Sequence, residues 1–510
     1  MSYVSNLSIA FRYVAEKFPE RVALHYPETG HKVTYADLAR HVDHACQALA
    51  LAGLRRGDVV AIFSDKSPLA LASVLACLRL GLPYAHLDPD SPWARLEKIL
   101  RTCNPSAVLN FVEALPIASE LAAYAGAKLH APTQWTKASA APAELPPFEE
   151  IDGATPAYIM FTSGSTGNPK GAVMSHANVL QFISWAQSRF SISHQDVRTS
   201  VNPIYFDNSV FDFYSAFFSG ATLVPLTAAQ VREPRLLVRL VSEAKCSIWF
   251  SVPSMLVYLL TTRALTSSDL PAIRKIIFGG EGFPKTKLRQ LFGLFAARAD
   301  LENVYGPTEC TCICSAHTVT PSDFEDMQNL TTLGKLAQNF DYEIIPLDGS
   351  DSNVGELFLR GPQVGLGYYN DVERSAKSFI QNPTHTRYRD IGYRTGDIVA
   401  RDGNGNLHFK GRVDFQIKHM GYRIELEEIE AGINTITHIK ECGVVYSSTG
   451  GFGQIVAFAS SEVPLDSAET IEKIAKLLPP YMVPRQLRFL DALPKNANGK
   501  IDRVALKALV

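Results

Sequence analysis

The chain has 510 residues, enough for roughly three domain-sized units with well-buried cores. Its 49 Lys+Arg against 51 Asp+Glu leave a net charge of -2, so no long-range field draws it to nucleic acid or to an anionic membrane. Scattered cysteines without a CxxC pair, and a start without a basic stretch leading into an apolar core, point to a reduced, cytoplasmic protein that handles small molecules.

From the N-terminus, residues 7–16 carry a helical pattern and 22–25 a strand, and VTYADLARHVDHACQALALAG reads as a strand end followed by an amphipathic helix that Gly53 stops. DVVAIFS and AVLNFV read as buried strands flanking a helix over 69–79, the βαβ alternation of a sheet covered on both faces. The most apolar run, 69–87, is broken by Arg79 and Pro83, which suits a buried helix and turn better than a membrane span. Residues 138–150, ASAAPAELPPFEE, form a Pro/Ala-rich exposed connector.

The apolar run YIMF, 158–161, is a predicted buried strand that enters FTSGSTGNPKGAVMSH, 161–176. In that loop Gly164, Gly167 and Gly171 leave backbone N–H groups open to an anion, while Thr162, Ser163, Ser165 and Thr166 add hydroxyl donors. Lys170 adds a movable positive charge, so the stretch points to phosphate binding. It is not the usual nucleotide P-loop, because Lys170 is followed by Gly171, Ala172 and Val173 rather than by Ser/Thr opening a helix. After the loop, Val179, Phe182, Ile183 and Ala186 recur at helical spacing.

Further along, YFDNSVFDFYSAFFSGATLV sets Asp207 beside Phe206 and an apolar run, where a carboxylate wants a cationic partner. Cys310, Cys312 and Cys314 alternate along one face of a predicted strand and read as small buried side chains rather than metal ligands. NVYGPTE at 303–309 packs an amide, an aromatic, a turn, a hydroxyl and a carboxylate into seven residues. YRTGD, GRVDFQIKHMGYRIELEEIE and finally NANGKIDR, which presents Lys500 on a Gly-containing turn, complete the series.

Taken together, these stretches resemble the adenylate-forming superfamily: acyl-CoA synthetases, luciferases and the adenylation domains of nonribosomal peptide synthetases. The likeness runs over nearly the whole chain in the family's order, from VTYADL and LRLGLPYAHLDP through FTSGSTGNPKG, NVYGPTE, GELFLRGPQVGLGYYN and YRTGD to NGKIDR. It implies an α/β fold: a large N-terminal part, 1–413, of two sheet-and-helix subdomains plus a distorted β-barrel, and a small mobile α+β C-terminal domain, 414–510. Asp414 matches the hinge position between them.

The resemblance also implies roles. Thr162, Ser163, Gly164, Ser165, Thr166, Gly167 and Lys170 would hold the β- and γ-phosphates of ATP, Asn303 would pair with adenine, and Tyr305 would pack on the base. Thr308 would reach the α-phosphate and Glu309 a Mg2+ ion. Asp397 would accept both ribose hydroxyls, with Arg412 reinforcing that side, and Lys500 would bridge the substrate carboxylate and the α-phosphate. A carboxylate would then attack the α-phosphorus, pyrophosphate would leave, and a thiol would take the acyl group after rotation of the C-terminal domain brings the loop of Gly421 to the thiol tunnel.

Asp207, with Phe206 beside it in the substrate pocket, falls where amino-acid-activating members keep an aspartate for the α-ammonium group. The side-chain pocket implied by the same alignment comprises Asn208, Phe211, Phe250, Ile277, Gly279, Val304, Cys312 and Ile313. With no charge beyond Asp207 and two phenylalanines taking up volume, it implies a small or medium neutral amino acid. Two readings of Asn208 stand, contact with a substrate hydroxyl or support of the backbone. FDNSVFD and FGGEGFP resemble D-alanine:carrier-protein ligases, while Phe250 and Gly279 leave a biosynthetic L-amino-acid ligase equally open. The sequence contains neither a GGxS-type phosphopantetheine site nor an HHxxxD motif, so the acceptor is expected in trans: a carrier protein, or coenzyme A. Two rival classes are an acyl- or aryl-CoA ligase, against which Asp207 argues, and a non-catalytic nucleotide-binding regulator, against which the joint presence of Lys170, Glu309, Asp397 and Lys500 argues.

Overall fold

The computed structural model describes residues 4–113, 115, 117–130, 145–164, 167–347, 353–447, 453–496 and 501–510. Its contacts divide the chain into two compact units, the first made of Met1–Leu87, Asn104–Met160 and Ala172–Val413, the second of Asp88–Cys103, Phe161–Gly171 and Asp414–Val510. The loop dense in glycine and hydroxyl residues therefore belongs to the same unit as the C-terminal part of the chain.

In the first unit a nine-stranded sheet runs in the order Lys335–Leu336, Ser315–Thr318, Asp300–Tyr305, Lys275–Gly279, Ile248–Ser251, Val197–Ser200, Thr222–Pro225, Val22–Tyr26 and His31–Thr34. Its central pairs are parallel and its edges antiparallel. Phe250 is in register with Ile277, and Gly279 with Val304, so the parallel strands gather the side chains of interest at their C-terminal ends. A second sheet is ordered Gly367–Tyr368, Lys170–Ser175, Pro156–Thr162, Tyr84–His86, Val60–Phe63, Ala107–Asn110 and Lys128–His130. An antiparallel sheet of Asp341–Pro346, Val354–Arg360, Phe379–Gln381, Ile391–Arg401 and Leu407–Arg412 forms the barrel portion.

Local sequence explains the helices that hold these sheets. Pro68–Leu80 starts with Ser67 accepting from the Ala70 N–H and Pro68 in its first turn, where a missing N–H costs nothing. It ends at Gly81 with φ 65, a left-handed cap that a side chain would strain. Every residue from Ala70 to Leu80 is buried, as an all-round apolar helix must be. Among the described residues no helix is long and apolar enough to cross a membrane. His176–Phe190 opens on a reciprocal cap between Ser175 and Asn178, and Val179, Phe182, Ile183 and Ala186 all point into the core.

The second unit combines the helix Trp93–Cys103 with a hairpin, Gln416–His419 and Tyr422–Glu425, and a three-stranded sheet, Ile439–Ser447, Gln454–Ser461 and Gln486–Phe489. Ile424, Ile429, Ile433, Val444, Ile455 and Met482 belong to its core.

Candidate functional site

In the first unit, the strand Asp300–Tyr305 delivers Asn303, Val304 and Tyr305, and the chain then turns sharply through Gly306. A Cβ on Gly306 would stand 2.4 Å from the Cys312 carbonyl oxygen, so only glycine lets the turn Thr308–Cys310 fold against the following loop. Asp397 lies opposite Arg412 in the antiparallel pairing of the strands Ile391–Arg401 and Leu407–Arg412. The Asp397 carboxylate accepts from the Tyr305 hydroxyl at 2.5 Å and from the Arg412 guanidinium. Burial pushes the Tyr305 hydroxyl pKa well up, and the Asp397 charge adds to it, so Tyr305 is a neutral donor. Asn303 donates to the Thr332 carbonyl at 2.8 Å. Glu309 is fully buried and accepts from the Tyr368 hydroxyl at 2.7 Å.

Asp207 immediately precedes the helix Asn208–Phe217 and accepts from the Thr308 hydroxyl at 2.5 Å, while Phe206 packs edge-on against Tyr205. The Phe211 and Phe250 rings meet edge to face at 4.9 Å. Ile277, Val304, Cys312 and Ile313 are buried with them in one apolar cluster. Gly279 is required where it stands, because a Cβ there would lie 2.3 Å from the Val304 carbonyl oxygen. Asn208 lies beside Gly280.

The strand predicted across Cys310, Cys312 and Cys314 does not form. Cys310 ends a short 3-10 turn, and Thr311 and Cys312 take φ values of 60 and 73, a left-handed pair that no extended strand contains. The strand begins only at Ser315. All three cysteines are buried, and burial, with Asp207 as the next cause, pushes the Cys312 thiol pKa well up. Cys312 is thus a buried, neutral thiol.

In the second unit, the Ser163 hydroxyl donates to the Arg423 carbonyl and accepts from the Glu425 N–H at 3.2 Å. The Gly164 N–H donates to the Glu428 carboxylate at 3.1 Å, and the Arg95 guanidinium pairs with the other oxygen of that carboxylate. Lys170 stands 3.6 Å from Glu425. Gly167, at φ 76, would put a Cβ 2.9 Å from that of Ala431, and its carbonyl accepts from Lys98 at 2.7 Å. The Thr162 hydroxyl is buried with no hydrogen-bond partner among the described residues. Ser165, Thr166 and Lys500 lie outside the described residues. Asp414 accepts from the Gln416 N–H, and Gly421, at φ 84, follows Met420 in the two-residue turn of the hairpin.

Four contributors went unread in the sequence. Tyr368, Glu425 and Glu428 sit inside stretches quoted above, GLGYYN and IELEEIE, yet nothing in their spacing distinguishes a buried partner from a solvated charge run. Arg95 carries no motif at all.

Residues 11–369 match the family described as AMP-binding enzyme, and residues 428–500 match the AMP-binding enzyme C-terminal domain. The chain is 34% identical over 486 residues to an L-proline--[L-prolyl-carrier protein] ligase of Pseudomonas fluorescens, covering 93% of each chain. It is 30% identical over 520 residues to a D-alanine--D-alanyl carrier protein ligase of Lacticaseibacillus casei, covering 99% of each. Among solved structures it is similar to holo-PA1221, an NRPS protein containing adenylation and PCP domains bound to a vinylsulfonamide inhibitor, with a TM-score of 0.84 and 25% identity, covering 98% of this chain and 84% of that one. With both regions matched in sequence order and most of its length covered, the chain belongs to the AMP-binding enzyme family.

Proposed function

We propose that this enzyme uses ATP to activate a small or medium neutral α-amino acid as its aminoacyl-adenylate, releases pyrophosphate, and passes the aminoacyl group to the phosphopantetheine thiol of a separate carrier protein. The observation that carries the amino-acid reading is the 2.5 Å hydrogen bond between Thr308 and Asp207. An α-amino acid bears its ammonium and carboxylate on one carbon, so an ammonium on Asp207 leaves the carboxylate beside Thr308, the residue assigned to the α-phosphate. The relatives named for proline and D-alanine support that substrate class.

In this reading Asn303 and Tyr305 hold adenine, Asp397 takes the ribose hydroxyls with Arg412 behind it, and the loop from Thr162 to Lys170 takes the β- and γ-phosphates. A substrate carboxylate oxygen attacks the α-phosphorus, and the bond to pyrophosphate breaks with its electron pair leaving on oxygen. Lys500 neutralises the two anions as they approach. In the second step a thiolate attacks the carbonyl carbon, and AMP leaves with the bridging oxygen.

Glu309 fits a magnesium ion only in part. It is a single buried carboxylate held by Tyr368, and the described residues hold no group of three or more His, Cys, Asp or Glu side chains suited to a metal. Such a site suits a hard cation whose other ligands are phosphate oxygens and water. When bound, Mg2+ supplies charge neutralisation on the phosphates.

We assign 1–413 to nucleotide and amino-acid binding and 414–510 to the mobile part, with Asp414 as hinge and Gly421 beside the thiol route. Dependence on ATP and eight free, buried cysteines support a reducing, cytoplasmic setting.

The test is ATP–pyrophosphate exchange across both enantiomers of the neutral amino acids, with proline and D-alanine included and aryl and fatty acids as the counter-set. Exchange should depend on an amino acid, and Asp207→Ala should lower it by on the order of 100-fold with little change in ATP affinity, since an unpaired buried ammonium costs about 3 kcal/mol or more. Exchange with an aryl or fatty acid and with no amino acid would overturn the reading.

A further inference from the structure

Beneath the Phe211 and Phe250 rings the first unit buries three charged or amide side chains that the mechanism above does not use. Arg198, on the strand Val197–Ser200, is 0% exposed, and Asp212, on the helix Asn208–Phe217, is 1% exposed. Arg198 donates through Nη1 to the Phe211 carbonyl at 3.0 Å, and its guanidinium lies over the Phe211 ring, 4.2 Å from the centroid. Asp212 accepts from the Asn202 amide at 2.9 Å, and the same amide nitrogen donates to the Phe250 carbonyl at 3.1 Å. Lys66 anchors the surroundings, donating to the carbonyls of Ser200 and Leu226 at 2.7 and 3.0 Å.

Buried charges kept only for stability are a poor solution, because well-packed apolar residues of the same volume usually do as well or better. Here the polar atoms are also incompletely used: Arg198 Nε and Nη2 and Asp212 Oδ1 are buried with no hydrogen-bond partner among the described residues. Burial pushes the Arg198 pKa down to about 10 and the Asp212 pKa up to about 7, while the attraction between the two, and that of Lys66 for Asp212, opposes those shifts. What the network does hold is the main chain of two particular residues, Phe211 through Arg198 and Phe250 through Asn202.

We propose that Arg198, Asp212 and Asn202 are positioning residues that fix the spacing of Phe211 and Phe250, and thereby set the largest amino-acid side chain the enzyme accepts. The inference rests on the reading of Phe211 and Phe250 as walls of the side-chain pocket. Loosening either carbonyl contact lets the edge-to-face pair part, and the added volume favours substrates with one or two more methylene groups.

The experiment is amino-acid-dependent ATP–pyrophosphate exchange by the full chain over the series glycine, alanine, valine, leucine and phenylalanine. The variant Arg198→Met/Asp212→Asn removes both charges together, leaving Lys66 on the carbonyls of Ser200 and Leu226; Asn202→Ala loosens Phe250 while leaving the charges in place. For both, the ratio of kcat/KM for the next larger side chain to that for the preferred one should rise about tenfold, the scale set by one methylene in an apolar pocket. KM for ATP should stay within about twofold of the parent value, as it depends on other residues. Phe211→Ala run alongside separates the two ways of failing. If Phe211→Ala widens the size preference while both variants lower kcat/KM equally for every amino acid, the positioning role is wrong and the pocket reading stands. If Phe211→Ala leaves the size preference unchanged, the pocket reading falls and takes the inference with it. Should the double variant fail to fold, Asn202→Ala decides: a shifted ratio supports the role, and an unshifted one overturns it.

Discussion

Two parts of the molecule assigned to one nucleotide are prepared in opposite ways. On the ribose side, Asp397, Tyr305 and Arg412 already bond one another, and the pairing that sets Asp397 opposite Arg412 is part of the sheet itself. On the phosphate side, the donors of the glycine-rich loop are taken by groups of their own unit: Gly164 by Glu428, Lys170 by Glu425 and Ser163 by the Arg423 carbonyl. In the proposed reading the first arrangement would receive a sugar by adding hydrogen bonds to a finished network. The second would exchange its protein acceptors for phosphate oxygens, with segment 423–428 and the triphosphate competing for the same donors. Preorganisation on one side and exchange on the other suit an enzyme that keeps its adenylate while pyrophosphate comes and goes.

The exchange side should break most severely at Lys500. Lys500→Ala should lose roughly 100- to 1,000-fold in pyrophosphate exchange, as removal of other preorganised charge stabilisers does, yet still load carrier protein from preformed aminoacyl-adenylate. Gly421→Leu should do the reverse, because a branched side chain at φ 84 strains the hairpin turn and crowds the thiol route while leaving exchange nearly intact. Equal loss in both half-reactions for Lys500→Ala would contradict the division.

Asp397→Asn attacks the preformed side. Loss of one charged hydrogen bond to the ribose, worth about 1.5–3 kcal/mol, should raise KM for ATP by on the order of 10- to 100-fold. The melting temperature should fall as well, since Arg412 loses a buried partner, and a normal melting temperature would mean the network forms only with ligand. Glu428→Gln should act in the opposite direction. Weakening the loop's internal competitor should tighten ATP binding by roughly 3- to 10-fold, measured by calorimetry; weaker binding would show that Glu428 supports the phosphate-binding form of the loop instead.

A further effect bears on stability rather than on catalysis and concerns the first unit alone. His176 is buried at the start of its helix, where its Nδ1 accepts from the Leu7 N–H, and burial lowers its pKa from 6.5 to about 4. Between those values the unfolded chain binds a proton that the folded chain refuses, so this contribution is complete above pH 6.5 and is lost as pH falls toward 4, by at most about 3 kcal/mol. His176→Asn keeps an acceptor for Leu7 and should flatten the melting temperature over that range, though not abolish its slope, because His86 is likewise held neutral.

The elements were legible wherever a local rule governed them. The helix over 69–79 shows in its apolar run, and Val179, Phe182, Ile183 and Ala186 mark a buried face, because hydrophobic patterning acts within a few residues. The glycine-rich loop was legible as a cluster of donors for the same reason, and in the structure those donors meet Glu428, Glu425 and the Arg423 carbonyl. The stretch around Cys312 was misread because alternation of small residues carries no sign of the left-handed pair at Thr311 and Cys312 or of their packing against Gly306. Glu425 and Glu428 hid in an acidic run that reads as a solvated face, and Arg95 and Glu428 are 333 positions apart. Arg198 and Asp212 are closer in sequence, but only the packing of helix on strand reveals that their bonds end on Phe211 and Phe250.

Attack of a substrate carboxylate on the α-phosphorus of ATP is the central step, and oxygen tracing tests it most directly. The enzyme is supplied with ATP, its carrier protein and the preferred amino acid labelled with 18O in both carboxylate oxygens, and AMP and inorganic phosphate are analysed by mass spectrometry after one turnover. One 18O atom should appear in AMP, because the oxygen that bridged carbonyl and phosphorus leaves with the nucleotide when the thiol takes the aminoacyl group. Label in inorganic phosphate with ADP as the nucleotide product, or unlabelled AMP beside a loaded carrier, would contradict it.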